Sequence, residues 1–185
     1  MPSPIAHTLA GLSVGWIAQG DHPMEGSPTR DALSPLALWC AFIAAIADAD
    51  LVIPHFHRTA THSLTATALV FIVTAGVTGK VTGRAAWRLA AVLSAAQATH
   101  LLLDWLGTDR FPPSGIQVWW PFSQEFFISG LDVFPPIDRR LSRPGALAVN
   151  AYAGLWELVI MGPVAAAVWV VRVWRRRGPV ARGQA

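Results

Sequence analysis

Five apolar runs separated by polar breaks organise the chain, at residues 4–18, 35–47, 64–77, 85–106 and 148–174. The fifth is long enough to cross a bilayer as a helix, which takes around 20 apolar residues, and the second is slightly short for that. The first is short and Gly-rich. His7, Gly11 and Gly15 stand four apart, so the two glycines share a helical face and let a neighbouring helix approach closely. The third is rich in β-branched residues, which would blur a helix in water. In lipid the backbone must satisfy its own hydrogen bonds, and the run predicts a helix.

The breaks are informative too. Residues 20–34 form a polar connection with Asp21, Glu25, Arg30, Asp31 and two prolines, and 80–88 form a short basic link. Residues 107–147 are the longest non-apolar stretch and contain Pro112-Pro113, Trp119-Trp120-Pro121-Phe122 and Pro135-Pro136. A connection of this length in a compact domain is more often functional than idle, and its aromatics suit a membrane interface. The expected fold is all-α: an integral membrane bundle of about four to five helices with a metal site at one end. It forms one domain over 1–177, followed by a disordered tail at 178–185. The sequence shows no internal repeat.

Composition narrows the class. The chain is 53% hydrophobic and 14% charged, with nine Trp, whereas soluble domains carry about 25% charged residues. It lacks the charge to coat a water-facing surface. The net charge of +3 suggests an anionic membrane surface rather than nucleic acid, because no basic stripe with interleaved aromatics lies inside the chain. Cys40 is the only cysteine, which excludes an intramolecular disulfide and a Cys-rich metal site. No basic segment opens the chain and His7 interrupts the first apolar run, so a cleaved signal peptide is not expected.

Candidate chemistry concentrates between the second and third runs, where residues 48–63 carry Asp48, Asp50, His55, His57 and His62. Carboxylates and imidazoles suit Zn²⁺, Mn²⁺ or Fe²⁺ rather than thiolate-bound metals. Asp48 and Asp50 would point to different sides of one helix. They converge on one ion only if the helix ends near Asp48, and Pro54 is consistent with such an end. His100 and Asp104 are four apart and share a face with Gln97. If each run crosses the membrane once, His7, Asp48, Asp50, His57, His62, His100 and Asp104 all fall on one side. Singly, each has a plain explanation as a polar loop residue or a hydrogen-bonded core histidine. Seven metal-capable side chains at one end of a bundle instead point to a metal centre.

The segments Ser3-Pro4-Ile5-Ala6-His7, Asp48-Ala49-Asp50, His57-Arg58-Thr59-Ala60-Thr61-His62-Ser63, Thr99-His100-Leu101-Leu102-Leu103-Asp104 and Trp119-Trp120-Pro121-Phe122 resemble, in this order, one family. It is the family of LexA-binding, inner-membrane-associated metal-dependent hydrolases. The His-Arg-x-x-Thr-His-Ser block is the most specific element, followed by the His-x-x-x-Asp pair. Two positions differ. Leu51 stands where members often carry a histidine, whose role is then lost or passes to His55, and Thr59 stands where they often carry glycine. The resemblance implies a reaction class, hydrolysis, without a substrate, and it implies LexA binding by name alone.

Such ligands would hold one or two divalent ions, Zn²⁺ foremost and Mn²⁺ next, and an ion lowers the pKa of its bound water from 15.7 to about 7. His7, Asp48, His62, His100 and Asp104 are expected as direct ligands. Asp50 is expected to bridge or to serve as general base, and His57 to ligate or to protonate a leaving group. Arg58 would clamp a phosphate or other anion, or contact a lipid headgroup. Ser63 is expected to cap the third run. Glu157, a carboxylate inside an apolar span, is expected to support a ligating histidine, or to lie near the interface if the fifth helix begins later.

Nine of the fourteen Lys and Arg residues lie on the side opposite this centre. The positive-inside rule therefore predicts a cytoplasmic C-terminus and an outward-facing site. Two function classes follow. One is a membrane-bound hydrolase acting on an ester, phosphoester or lipid-linked substrate. The other is a non-catalytic membrane protein with a structural or transported ion, or a docking partner. The expected partners are the bilayer and a membrane-proximal substrate.

Overall fold

The computed structural model describes residues 2–20, 28–52 and 57–177. These form six α-helices: α1 (Pro4–Gln19), α2 (Pro28–Ala32), α3 (Pro35–Ile46), α4 (Leu64–Thr82), α5 (Trp87–Leu106) and α6 (Ala146–Arg177). Two 3₁₀ turns, Ala47–Val52 and Ala60–His62, lie between α3 and α4. There is no strand among the described residues. The five apolar runs correspond to α1, α3, α4, α5 and α6, and α2 is a short addition within the polar connection. His55 and the C-terminal tail expected at 178–185 lie outside the described residues.

Caps set the starts. Ser3, Ser34 and Ser63 each accept a hydrogen bond from a backbone N–H in the first turn of α1, α3 and α4, and Pro4 and Pro35 open α1 and α3. Ser63 is thus the expected cap. Two ends differ from the hydropathy reading. α4 runs on through Lys80 to Thr82, where Gly83 at φ 73° closes it in the left-handed region. The expected basic link therefore shrinks to 83–86. α6 continues through Pro163 to include Arg175, Arg176 and Arg177. Hydropathy marks where lipid can cover a helix, whereas backbone hydrogen bonding continues through residues with favourable helix propensity such as Lys and Arg.

The seam between α1 and α3 is built from small residues. A Cβ on Gly11 would collide with the Cys40 carbonyl oxygen, and one on Gly15 would stand 2.5 Å from Ala37 Cα. In lipid, helices gain little from burying apolar surface, so close packing of this kind holds them together. α5 packs against α1, α3 and α4, and α1 also packs along α6. α4, α5 and α6 are long and apolar enough to cross a membrane. α4 exposes Leu69, Ile72, Val73 and Val77, a surface suited to lipid. Trp105, Trp119 and Trp156 are exposed toward the α5 C-terminal end, and Trp39, Trp87 and Trp174 toward the other, as in the aromatic belts of membrane proteins.

The connection 107–145 is ordered by its own hydrogen bonds. It pairs at Gly107 with Phe134 and at Ile116 with Phe127. Leu64 N donates to the Val118 carbonyl, and Trp156 Nε1 donates to that of Val133. Phe134 and Ile116 are fully buried. This stretch covers the end of the bundle where α3 and α5 stop and α4 begins.

Candidate metal centre

α3 stops at Ile46 and the chain tightens into the 3₁₀ turn carrying Asp48 and Asp50. The helix end expected near Asp48 is present, but the two carboxylates do not converge. At three residues per turn, positions two apart are turned by about 240°. Asp48 Oδ1 faces His62 Nε2 at 3.5 Å, whereas Asp50 Oδ2 faces His62 Nδ1 at 3.3 Å. One imidazole thus separates the two aspartates.

On the Asp48 side, four elements bring five side chains together. His7 comes from the first turn of α1, Asp48 from the 3₁₀ turn, His62 from the residue before the α4 cap, and His100 and Asp104 from the last turns of α5. Asp104 Oδ2 lies 3.2 Å from both His62 Nε2 and His100 Nε2, and its Oδ1 lies 3.5 Å from His7 Nε2. Asp48 lies 3.8 Å from His7 Nε2 and 3.9 Å from His100 Nε2. The His7 and His100 rings stack with centroids 3.9 Å apart. His7, His62, His100 and Asp104 are fully buried, and Asp48 is the donor with residual exposure, 13% of its side chain.

The histidines are oriented from behind. His100 Nδ1 lies 2.8 Å from the Ala44 carbonyl. A carbonyl only accepts, so Nδ1 carries the proton and Nε2 presents its lone pair to the cluster. Thr61 Oγ1 donates to Asp50 Oδ2 and lies 2.9 Å from His62 Nδ1. Its hydroxyl proton is thereby committed, so His62 Nδ1 is the donor and its Nε2 also faces the cluster. Burial works to raise the Asp50 pKa, but hydrogen bonds with His57, His62 and Thr61 hold it below the usual carboxylate range. Burial likewise opposes charge on His62. The carboxylates of Asp104, Asp48 and Asp50 around it nonetheless hold its pKa well above that of an ordinary imidazole.

This donor set fits a divalent ion. Both nitrogens of His7, the Nε2 atoms of His62 and His100, and both Asp104 oxygens are buried without a hydrogen-bond partner. Leaving such groups unpaired is costly. Two ligands each 2.0–2.1 Å from a tetrahedral ion stand about 3.3–3.4 Å apart, close to the 3.2 Å and 3.5 Å spacings around Asp104. Asp48, His62, His100 and Asp104 form one group able to hold a metal ion, and Asp50, His57 and His62 form another. The second shares His62 through the other side of its ring, where Nδ1 lies 3.3 Å from Asp50 Oδ2.

Three further residues singled out by the sequence lie around this cluster. His57 stands on the Asp50 side, with Nδ1 2.6 Å from Asp50 Oδ1 and Nε2 2.5 Å from Arg139 Nη2. Arg58, at φ 68°, pairs through Nη1 with Asp109 and donates to the carbonyls of Phe111 and Pro113. It props the 107–145 connection. Glu157 does not reach a histidine. Its Oε1 accepts from Ser3 N at 2.6 Å, and its Oε2 accepts from Ser3 Oγ at 2.5 Å and Ala6 N at 3.1 Å. It therefore satisfies the first turn of α1, one residue before His7, because an unpaired carboxylate beside free helix N–H groups binds them first. Thr61, Ala44 and Arg139 were not singled out by the sequence. Thr61 lies inside the His57–Ser63 block, but nothing local marks Arg139, which meets His57 across 82 positions of chain.

A family model described as YdjM inner membrane protein matches residues 1–177. No curated protein and no solved structure matches the chain. The match carries the inner-membrane location in its description, and neither LexA binding nor hydrolysis.

Proposed function

The chain belongs to the YdjM inner membrane protein family, and on that premise we propose that it is a membrane-bound metal-dependent hydrolase of ester substrates presented at the bilayer surface. The observation that carries this reading is the set of buried, unpartnered donors on His7, His62, His100 and Asp104, closed by the partly exposed Asp48. These five residues would hold one divalent ion, with zinc the first choice for an N/O donor set and manganese the second. A bound ion would supply hydroxide at neutral pH, because it lowers the pKa of its water to about 7.

The chain's own residues supply the rest. His100 and His62 are held with Nε2 toward the cluster by the Ala44 carbonyl and by Asp50. Asp48, the donor that reaches solvent, marks the side from which substrate enters. Asp50 and His57 form a hydrogen-bonded pair behind His62, able to take up a proton at Asp50 or pass one through His57. The excess of Lys and Arg in segments away from the cluster supports a cytoplasmic C-terminus and an outward-facing site.

The second reading is a structural ion in a non-catalytic membrane protein. It is favoured by the complete burial of four of the five donors, since structural sites are closed and catalytic sites keep an open position. Elemental mass spectrometry on detergent-purified protein, paired with an ester-hydrolysis screen, separates the two. One equivalent of zinc or manganese, lost in His62→Ala and His100→Ala together with hydrolysis, is expected. Metal without hydrolysis of any ester class favours the structural ion. Metal-free wild type after gentle purification refutes both.

A further inference from the structure

Beside the metal centre lies a cavity of about 250 Å³ whose wall includes Arg58, Arg139, Arg140, Asp109, Asp138 and Phe111. It is a cleft partly open to solvent, with room for a small anionic head. Three guanidinium groups face two carboxylates, of which Asp109 pairs with Arg58 inside the wall and Asp138 with Arg143 outside it. Asp109 pairs with Arg58 and accepts from the N–H groups of Phe111 and Gly115. Asp138 accepts from Arg140 N at 3.0 Å and lies 3.6 Å from Arg143. The cavity therefore carries excess positive charge.

It is also joined to the cluster. Arg139 Nη2 is 2.5 Å from His57 Nε2, His57 Nδ1 is 2.6 Å from Asp50 Oδ1, and Asp50 Oδ2 is 3.3 Å from His62 Nδ1. Three contacts lead from the cavity wall to a candidate ligand. Guanidinium groups at such a position are suited to phosphate, whose oxygens accept paired N–H donors. We infer that this cavity is an anion site that binds the phosphate group of a phosphoester substrate, through Arg139 and Arg140 on a wall propped by Arg58. The identity of the ester rests on the hydrolase reading, whereas the binding of phosphate does not. The phosphate has two possible sources, a lipid headgroup or a soluble phosphoester.

The test titrates detergent-purified, zinc-loaded full-length protein with inorganic phosphate and with dihexanoyl phosphatidic acid by isothermal calorimetry. Wild type is compared with Arg139→Gln, Arg139→Lys and Arg140→Gln, with metal content measured on every sample. Both probes are expected to bind wild type, with affinity falling about tenfold or more in each Gln variant at unchanged metal content. The Lys variant is expected to recover affinity only in part, because it loses the paired donors. Tighter binding of the short-chain lipid assigns the phosphate to a headgroup, and equal binding assigns it to a soluble ester. Either result supports the site.

Wild-type affinity in both Gln variants overturns it, as does phosphate binding that disappears with the metal and ignores the arginines. Should Arg139→Gln unfold, Arg140→Gln decides, since that side chain is exposed. Phosphate binding without hydrolysis of any ester defeats the hydrolase reading and leaves the anion site standing. Hydrolysis of a neutral ester without phosphate binding does the reverse.

Discussion

Glu157 and Arg172, fifteen positions apart on α6, hold the two ends of α1. Glu157 accepts from Ser3 and Ala6 at its start. Arg172 donates to the Trp16 and Gly20 carbonyls at its end and forms a paired contact with Asp31. Fifteen residues of helix rise about 22 Å, and the sixteen of α1 about 24 Å, so the two helices lie parallel and nearly in register. The charges match the helix dipole, an anion at the N-terminus and a cation at the C-terminus. His7 is thereby delivered to the metal centre by a helix clamped at both ends.

That clamp predicts a coupling between α6 and metal retention. Glu157→Ala leaves Ser3 N and Ala6 N without their partner, a loss of about 1–3 kcal/mol for a buried group. The expected result is a lowered unfolding midpoint in detergent together with weakened zinc binding. Glu157→Gln, which keeps one acceptor oxygen, should fall between the two. Zinc affinity equal to wild type in both variants would show that α1 is positioned without this residue.

The α1–α3 seam predicts opposite outcomes for two chemically identical changes. Gly15→Ala places a methyl 2.5 Å from Ala37 Cα, whereas nothing lies within 4 Å of a Cβ on Gly76. Gly76→Ala should stabilise α4 by up to about 1 kcal/mol through helix propensity. Gly15→Ala should destabilise by about 1–3 kcal/mol, because backbone must shift to admit the methyl. Thermal unfolding of both proteins in one detergent gives the comparison, and equal shifts of the same sign would contradict the close seam.

Asp50 orients His62 from behind, so its loss should weaken the metal site without abolishing it. Asp50→Asn is expected to lower zinc affinity about 10- to 100-fold, the range for partners of ligating histidines. Asp104→Asn, which alters a carboxylate facing three histidines, should lower it more. Competition with a fluorescent chelator ranks them, and an Asp50 variant worse than the Asp104 variant would make Asp50 a direct ligand.

Metal uptake should depend on pH in a fixed direction. In the metal-free protein His62 keeps its proton above the ordinary imidazole range, since the carboxylates of Asp104, Asp48 and Asp50 around it outweigh burial. Metal requires the bare Nε2, so the proton competes. Apparent zinc affinity is expected to rise with pH beyond the ordinary histidine value of about 6.5, and binding should release protons. Calorimetry in buffers of different ionisation enthalpy counts them. Proton release that is zero at every pH would mean the cluster is already deprotonated.

Local pattern alone determined the helical class, the five apolar helices, the glycine face of α1 and the shared face of His100 with Asp104. Each depends on spacing within one element, which helix geometry converts directly into direction. The gathering of His7, Asp48, His62, His100 and Asp104 at one end also followed from the sequence, because helices that alternate in direction return the chain to the same end of the bundle. Tertiary structure alone decided which way the neighbours of those residues turn. The 3₁₀ turn after α3 sent Asp50 behind His62 instead of beside Asp48. Glu157 went to the α1 terminus because free N–H groups stood nearer than any histidine. Arg139 reached His57 because the 107–145 connection folds on its own hydrogen bonds. Contacts between residues 82 or 154 positions apart leave no period in the sequence, since they depend on where whole elements come to rest.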